Sequence, residues 1–298
     1  MKIIHSSQTI KNFSKKNSPV AKAASGDLVV FETTDCYGNP VPGCKLPLPS
    51  HGGNPATGPL YIENAAPGDT LQIEILDIEI ATEGIMRSGP NKGILGHKFT
   101  EEFTKRISVK DGHAIFSKDL HLPINPMIGV IGTAPMGDPI PSITPGSHGG
   151  NMDCKEIKKG TTLFLPVFVE GGLLAIGDLH ALMGDGEVVV CGLEIPGKVT
   201  VRITLRKNLH LTHPLLQTQT HWMNIISAQT LDEASKLATD HMHDFLTSQT
   251  RMSAEDAGLL LSLTGNLRIC QIVDPLMTVR MEMPRTILNA YGFQNLQG

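Results

Sequence analysis

The chain has 298 residues, enough for one large domain or two modest ones, each with a substantial core. Its formal net charge is -4 and neither sign forms a long block, which argues against a nucleic-acid or anionic-membrane partner. Aromatic residues make up only 4% of the chain, whereas 30 glycines and 20 prolines punctuate it closely, a composition that favours many short strands joined by turns.

Alternation of apolar and polar residues predicts two long strands. In residues 69–80 the alternation slips by one position, which predicts a single strand with a bulge near Ile75 and Leu76. Residues 199–206 alternate without interruption and predict a half-buried strand. Shorter apolar runs predict further strands at 28–31, 127–131, 162–169, 188–191, 267–273 and 278–283.

Two segments rich in proline and glycine, 40–59 and 135–150, predict long loops, which in compact domains are usually functional or disordered. The same tetrapeptide, His-Gly-Gly-Asn, begins at His51 in the first loop and at His148 in the second. Two related β units would produce this repeat, but a single four-residue match is weak support for a duplication.

Helical signal is concentrated near the C-terminus. Thr230 and Glu233 have the spacing of a capping box, and apolar residues then recur at helical spacing, which predicts a helix over about 231–247. Ser253 is placed to cap a second helix over about 254–264. The elements together predict a mainly β (α+β) chain.

We divide the chain into two predicted parts. The N-terminal β-rich part covers residues 1–150, and the C-terminal β part with the two helices covers residues 151–298. The two parts can also form one integrated domain.

Cellular location is inferred from the N-terminus and the cysteines. Residues 1–5 are not followed by an apolar run with a cleavage site, and no stretch approaches the roughly 18 apolar residues of a membrane span. Five cysteines, an odd number without zinc-ligand spacing, indicate reduced structural thiols. We therefore expect a cytoplasmic protein whose partner is a small molecule, with no nucleic-acid or membrane partner.

Two segments offer candidate ligand-binding groups at strand ends and loops. Glu32 and Asp35 directly follow the strand at 28–31, where loop-borne sites are usually built, although a solvated strand end is the alternative. In residues 148–153, two glycines allow the backbone to approach a ligand closely. A phosphate loop would need a flanking strand and helix, which the sequence does not predict. A ligand or metal loop and a plain turn both remain open there.

A third segment combines a carboxylate and a histidine. Asp178 and His180 share a face if the segment is extended, as two ligands of Zn²⁺ would, although a hydrogen-bonded pair at a strand edge is the alternative. If Asp185 and Gly186 form a two-residue hairpin turn, Glu187 lies roughly 13 Å along the strand from His180. Glu187 could then not share a metal directly and would act as a proton carrier, unless the loop is wider.

Several ordered motifs together resemble the acetamidase/formamidase family. They are Gly26-Asp27 with Glu32-Thr-Thr-Asp35, Asn54-Pro-Ala-Thr-Gly-Pro59, the Gly68-Asp69 strand, His148-Gly-Gly-Asn-Met-Asp153, the segment 177–187 and the stretch 254–284. The resemblance covers nearly the whole chain. It implies a β-rich fold with a jelly-roll-like portion. Together with the predicted elements, this gives jelly-roll-like, β-sandwich and barrel-like strands with a two-helix C-terminal insertion as the expected fold. The resemblance also implies hydrolysis of short amides to acid and ammonia, a bound divalent metal and a homo-oligomer.

The resemblance selects Glu32, Asp35, His51, Asp153, Asp178, His180 and Glu187 as candidates. To these we add Asn54, His148 and Asn151 from the quoted motifs, and we assign provisional roles to the whole set. The expected metal ligands are Asp153, Asp178, His180 and Asp35, the expected catalytic groups are Glu32, Glu187 and Asn151, and the expected substrate-binding residues are His51, Asn54 and His148. Zn²⁺ is the expected ion and Ca²⁺ the alternative. Such an ion activates water and polarises a carbonyl, a carboxyl group shuttles the proton, and Asn151 lies near the oxyanion.

Other functions remain open at this stage. The same site could hydrolyse lactams, since the family includes a relative that acts on a bicyclic γ-lactam. A non-enzymatic, metal-containing jelly-roll module for small ligands would tolerate the same Asp and His loops but would not need a proton-transfer carboxylate. Covalent mechanisms are less favoured, because the chain lacks the serine run of serine amidases and the alternating strands and helices of nitrilase-like amidases. We give Cys154 no catalytic role.

Overall fold

The structure is a computed structural model that describes residues 1–39, 53–207 and 209–296. The strands, numbered in chain order, are β1 (Lys2–Ile4), β2 (Thr9–Ile10), β3 (Asn12–Phe13), β4 (Ala21–Ala23), β5 (Leu28–Thr33), β6 (Ala56–Ile62), β7 (Thr70–Ile80), β8 (Glu83–Ser88), β9 (Phe103–Lys110), β10 (His113–Ser117), β11 (Leu120–Pro123), β12 (Met127–Gly132), β13 (Ile140–Pro141), β14 (Gly149–Asn151), β15 (Thr162–Pro166), β16 (Leu174–His180), β17 (Gly197–Arg206), β18 (Leu215–Gln217), β19 (His221–Ala228), β20 (Asn266–Gln271) and β21 (Met277–Pro284). The α-helices are α1 (Leu231–Gln249), α2 (Ala254–Thr264) and α3 (Arg285–Ala290), and a short 3₁₀ helix spans Gly96–Lys98.

The strands form two large sheets and two smaller ones. The larger sheet has nine strands in the order β1-β5-β17-β7-β15-β18-β19-β21-β20. The second has the order β14-β12-β16-β6-β2, with β4 beside β6. Strands β11-β10-β9-β8 form a four-stranded sheet, and β13 pairs with β3. The mainly β fold expected from the sequence is confirmed.

The main hydrophobic core lies between the two large sheets. Val199, Val201 and Ile203 of β17 are fully buried in it, and from the other sheet it receives Ile128 and Ile176. Alternate residues of each strand therefore face this core, as the period of a pleated strand requires. The candidate site described below lies at the edge of the same packing.

A second core lies where the helices cover the far end of the nine-stranded sheet. Thr230 caps α1 by accepting a hydrogen bond from the Glu233 backbone, and Ser253 caps α2 in the same way. Trp222 of β19 is buried against the rings of Phe245 and Phe293. Both predicted helices are confirmed, and the short helix α3 follows the last strand.

The bulge predicted in β7 is confirmed. Along β17 the register slips between Thr200, which faces Asp77, and Val201, which faces Ile75. Leu76 is therefore the extra residue of the bulge, which explains why the apolar pattern changes phase there.

Two local predictions are corrected by the structure. The run 188–191 is not a strand: the backbone N–H of Val190 donates to the carbonyl of Glu187, and both residues have positive φ. Such angles bend the chain out of the extended conformation that a strand needs. The predicted loop 40–59 ends too late, because β6 begins at Ala56, and residues 40–52 lie outside the described residues.

Strands from both sides of residue 150 alternate in the nine-stranded sheet. In it β17 lies between β5 and β7, and β7 also pairs with β15. The division of the chain at residue 150 stays a prediction. No helix of the described ranges is long and apolar enough to cross a membrane.

Candidate functional site

A cavity of about 250 Å³ is the centre of the candidate site. Four carboxyl groups and two cationic side chains line it, together with polar and apolar residues from segments far apart in the chain. The lining residues are Cys36, Tyr37, Asn54, Arg87, Lys92, Ile143, Asn151, Asp178, Glu187, Val190, Glu194, Val273, Asp274 and Pro275.

Two carboxylates from different segments meet above Gly129. This glycine lies in β12 opposite Asp178 of β16, between the paired residues on either side. A Cβ at Gly129 would lie 2.5 Å from Asp153 Oδ1 and 2.8 Å from Asp178 Oδ2. The missing side chain is therefore what allows Asp153, from the loop after β14, and Asp178 to approach each other.

His180, the last residue of β16, stands between these carboxylates. Its Nδ1 is 3.9 Å from Asp153 Oδ1, and its Nε2 is 3.7 Å from Asp178 Oδ1. The same Nε2 is 3.0 Å from Glu194 Oε1. Gly192 packs against the ring, since a Cβ there would lie 2.6 Å from Nδ1. The structure thus brings the predicted residues Asp153, Asp178 and His180 together in one buried cluster.

Glu187 reaches this cluster, contrary to the distance expected from a regular hairpin. The Glu187 N–H donates to the carbonyl of Gly184, so the predicted turn is present, but β16 has already ended at His180. The chain bends back at Glu187, where φ is 49°. Ligand atoms of Asp153, His180 and Glu187 consequently lie within 4.8 Å of one another. A wider loop, rather than a two-stranded ribbon, explains the shorter distance.

A second group of potential ligands adjoins the first. Cys36, Asp178 and Glu194 also have ligand atoms within 4.8 Å of one another. Burial raises the pKa of the Cys36 thiol well above its usual range, and the nearby carboxylates raise it further. The thiol is therefore protonated at neutral pH unless a cation or another positive charge compensates it.

Burial dominates the electrostatics of the cluster. It raises the pKa of Asp153 and of Glu187 well above their usual ranges, and neighbouring carboxylates add to the effect. It raises the pKa of Glu194 to about 8. Burial lowers the pKa of His180, but the charges of Glu194 and Asp178 outweigh this and raise it well above its usual range. The cluster carries more acidic groups than one imidazolium can neutralise.

The donor atoms of the cluster fit a divalent cation. Both carboxylate oxygens of Asp153, and one oxygen each of Asp178, Glu187 and Glu194, are buried without a hydrogen-bond partner among the described residues. Buried carboxylates of this kind need a compensating positive charge. Mixed carboxylate and imidazole donors suit Zn²⁺ and similar ions better than Ca²⁺, which takes oxygen ligands.

A chain of hydrogen bonds crosses the cavity wall. Asn151 Nδ2 donates to Asp274 Oδ2 at 2.8 Å. Asn54 Nδ2 donates to Asn151 Oδ1 at 3.2 Å and to Asp178 Oδ2 at 2.9 Å. The last residues of the two His-Gly-Gly-Asn repeats therefore contact each other and link the acidic cluster to Asp274.

Backbone strain is concentrated at the site. Asn54, Asp153, Asp178 and Glu187 all have φ between 37° and 53°, in the left-handed region that non-glycine residues seldom adopt. Such conformations cost on the order of 1–3 kcal/mol each and persist where the surrounding packing imposes them. The strain turns the four side chains toward the cavity and the cluster.

Other predicted residues have different environments. The Glu32 carboxylate contacts His5 Nδ1 at 2.9 Å and Lys198 Nζ at 3.0 Å, and Glu32 is not among the residues that line the cavity. The Asp35 oxygens accept hydrogen bonds from the backbone of Tyr37 and from the backbone and side chain of Asn39. Asp35 therefore holds the loop that carries Cys36 and Tyr37 at the cavity.

His148 is buried beside the cavity rather than in its wall. It is 1% exposed, packs edge-on against the Phe13 ring at 5.1 Å, and does not line the cavity. Burial lowers its pKa to about 4. His51, the corresponding residue of the first repeat, lies outside the described residues.

Sequence reasoning missed several residues of the site, among them Glu194, Asp274 and Cys36. Glu194 and Asp274 each stand alone among apolar neighbours, as Leu193-Glu194-Ile195 and Val273-Asp274-Pro275. An isolated carboxylate in an apolar stretch was the available signal, because burial of a charged group needs a partner. Cys36 had no signal beyond its position after Asp35.

Comparisons with known proteins agree with this architecture. The model of the Acetamidase/Formamidase family matches residues 18–144 and 138–289. The crystal structure of an acetamidase from Bacillus halodurans is 46% identical, with a TM-score of 0.93 over 97% of this chain and 99% of that chain. That of a predicted acetamidase/formamidase from Thermoanaerobacter tengcongensis is 43% identical, with a TM-score of 0.94 over 99% of each chain.

A curated relative matches more locally. The formamidase from Methylophilus methylotrophus is 26% identical over an alignment that covers 51% of this chain and 51% of that protein. The chain spans about half the length of the curated relatives it matches.

Proposed function

This chain belongs to the acetamidase/formamidase family, and on that premise we propose that it hydrolyses short aliphatic amides such as formamide and acetamide to carboxylate and ammonia. The observation that carries the proposal is the buried cluster of Asp153, Asp178 and His180 directly beside a small cavity. Amide-hydrolase names among the similar proteins support it.

We assign the metal to three of the clustered residues. Asp153, Asp178 and His180 hold a divalent ion, for which their unpaired carboxylate oxygens and imidazole are suitable donors. A Zn²⁺-like ion, when bound, supplies Lewis-acid polarisation and lowers the pKa of water to about 7. Asp35 is left out of the ligand set, because its oxygens already accept three hydrogen bonds.

Two side chains of the protein transfer the proton and bind the substrate carbonyl. Glu187 lines the cavity and reaches the cluster, so it is the group we assign to carry a proton to the departing amine. Asn151 uses one Nδ2 hydrogen for Asp274, and its second hydrogen can donate to the carbonyl oxygen as charge develops there. Glu32 is replaced by Glu187 in this scheme, since its carboxylate pairs with His5 and Lys198.

A thiol mechanism is less favoured. Cys154 is fully buried and does not line the cavity. Cys36 does line it, but without a bound cation burial and nearby carboxylates raise the pKa of its thiol, and the thiolate is the nucleophilic form. A binding module without catalysis would have no use for Glu187 beside the cluster.

We also propose a homo-oligomer in the cytoplasm. Leu259 and Leu263 of α2 are 62% and 78% exposed, and Leu267 of the edge strand β20 is 45% exposed, a set that a second copy of the chain would cover. The described cysteines form no disulfide, as expected in a reducing compartment. Light scattering on the purified protein measures the oligomeric state.

The proposed activity is tested by ammonia release from formamide, acetamide, propionamide and a γ-lactam. We expect activity with the short linear amides, its loss on chelation and its return with Zn²⁺. Glu187→Gln should lower kcat by about 100-fold or more while metal content is retained, because it cannot transfer the proton. Cys154→Ser is the matched control and should retain most activity.

Two results would overturn the proposal. Full activity of a verified metal-free preparation would exclude the metal-dependent reaction. Loss of activity in folded Cys154→Ser, together with a trapped acyl-enzyme, would move the chemistry to a thiol.

A further inference from the structure

The hydrogen-bond chain across the cavity wall has a fixed direction. At one end Asn54 Nδ2 donates to Asp178 Oδ2, and at the other end Asn151 Nδ2 donates to Asp274 Oδ2. Asn151 must therefore present Nδ2 to Asp274 and Oδ1 to Asn54. The reverse orientation of the Asn54 amide would set its oxygen against Asn151 Oδ1 and Asp178 Oδ2, which are acceptors.

This direction leaves two unused groups on the cavity wall. Asn54 Nδ2 has donated both of its hydrogens, and Asn54 Oδ1 accepts none from the described residues. Asn151 Nδ2 keeps one hydrogen beyond that given to Asp274. Both residues line the cavity. Among the described residues, one acceptor and one donor on neighbouring side chains thus have no partner.

An amide substrate presents the complementary pair. Its carbonyl oxygen accepts a hydrogen bond and its N–H group donates one. Resting on the proposed function, we propose that Asn54 is the specificity-determining residue for amides that bear an N–H. Its Oδ1 accepts the substrate N–H, while Asn151 donates to the substrate carbonyl.

The backbone holds Asn54 firmly in this role. Its φ of 37° is left-handed, and its N–H donates to the carbonyl of Cys36 at 3.2 Å. The next residue, Pro55, packs closely against Gly177: a Cβ added to Gly177 would lie 3.2 Å from the Pro55 carbonyl carbon. A polar group fixed in this way discriminates strongly, because a substrate lacking the matching hydrogen leaves it unpaired.

The inference is tested with a substrate series that differs in N–H count. Formamide, N-methylformamide and N,N-dimethylformamide carry two, one and no N–H, and formate release measures all three on one scale. In the wild type we expect kcat/KM to fall by about 100-fold or more between the monomethyl and dimethyl compounds. Asn54→Gly, which suits the left-handed backbone, should reduce that ratio by about 10-fold or more.

Two further variants separate recognition from structure. Asn54→Asp keeps one acceptor oxygen but sets its second oxygen against the acceptors Asn151 Oδ1 and Asp178 Oδ2, so it should lower the overall rate while retaining more of the ratio than Asn54→Gly. Asn64→Gly removes an exposed asparagine whose φ of 63° is also left-handed, and should leave the ratio within about 2-fold. Thermal unfolding of each variant verifies that it is folded.

The outcomes distinguish this inference from the function on which it rests. If the wild type releases no formate from formamide, the proposed function fails. If the wild type hydrolyses formamide and folded Asn54→Gly keeps the full discrimination, the amide-reading role of Asn54 is excluded while the proposed function stands.

Discussion

Gly129 has no side chain, and the carboxylates of Asp153 and Asp178 occupy the space that a side chain would take. Replacing it by alanine would set a Cβ 2.5 Å from Asp153 Oδ1 and 2.8 Å from Asp178 Oδ2. We expect Gly129→Ala to lower metal affinity by about 10- to 100-fold, because the displaced carboxylates no longer match the ion. Overpacking should also cost about 1–3 kcal/mol of unfolding free energy.

Gly137→Ala is the matched control for this prediction. A Cβ at Gly137 meets nothing within 4 Å, so metal content should stay unchanged. Elemental analysis of the folded proteins measures both effects. Equal metal content in Gly129→Ala and the wild type would show that the two carboxylates do not hold one ion.

His148 predicts a pH dependence of stability. Its pKa is about 4 in the folded protein and about 6.5 in the unfolded chain, so below pH 6.5 the unfolded state binds more protons. Stability is therefore full above pH 6.5 and falls as the pH drops toward 4. The loss amounts to about 3 kcal/mol for this one residue.

His148→Leu should remove that dependence. The ring nitrogens have no hydrogen-bond partner in the described ranges, so leucine sacrifices no hydrogen bond at neutral pH. Urea unfolding at pH 7.5 and pH 4.5 compares the variant with the wild type, and His97→Leu, at an exposed position, is the control. A difference between His148→Leu and the wild type that is the same at both pH values would contradict the prediction.

At the scale of elements, local periodicity predicts what is regular. The bulge at Leu76 follows from the sequence because a period of two leaves only one face for the core, so a slip must be absorbed by an extra residue. The proximity of Asp178 and His180 also follows from the period of two, because residues two apart along a strand share one face. The prediction of a strand at 188–191 is wrong because the apolar composition of this run resembles that of a strand. The positive φ at Val190, which prevents a strand, is not visible in a local sequence pattern.

The rest of the site depends on contacts between distant segments. Tertiary packing of β6, β14 and the β20–β21 turn is what brings Asn54, Asn151 and Asp274 close to one another. Nothing in the spacing of these residues indicates such proximity, since no periodic rule connects positions that are 97 and 123 residues apart. The family resemblance supplied Asn54, while Asp274 and Glu194 needed the three-dimensional arrangement.

At the scale of the whole molecule, the two hydrophobic cores share one sheet. In β15, Leu163 and Leu165 face the main core, whereas Phe164 faces the core that contains Trp222. Alternate residues of a single strand thus connect the site side of the fold with the helical side. Separate unfolding of either core would require breaking the pairing of β15 with β7 or β18.

This connection predicts that Trp222 reports on the distant site. The chain has one tryptophan, and it is buried in the second core, which contains none of the proposed metal ligands. If the fold unfolds as one unit, Zn²⁺ that binds only the native state stabilises every part of it, by about 2.7 kcal/mol at 100 times its Kd. We expect Zn²⁺ to raise the thermal midpoint of Trp222 fluorescence and of far-UV circular dichroism equally. His180→Ala should abolish both shifts, because it removes a proposed ligand. If Zn²⁺ shifts the thermal midpoint measured by circular dichroism but not the midpoint measured by Trp222 fluorescence, the helical side unfolds independently of the site.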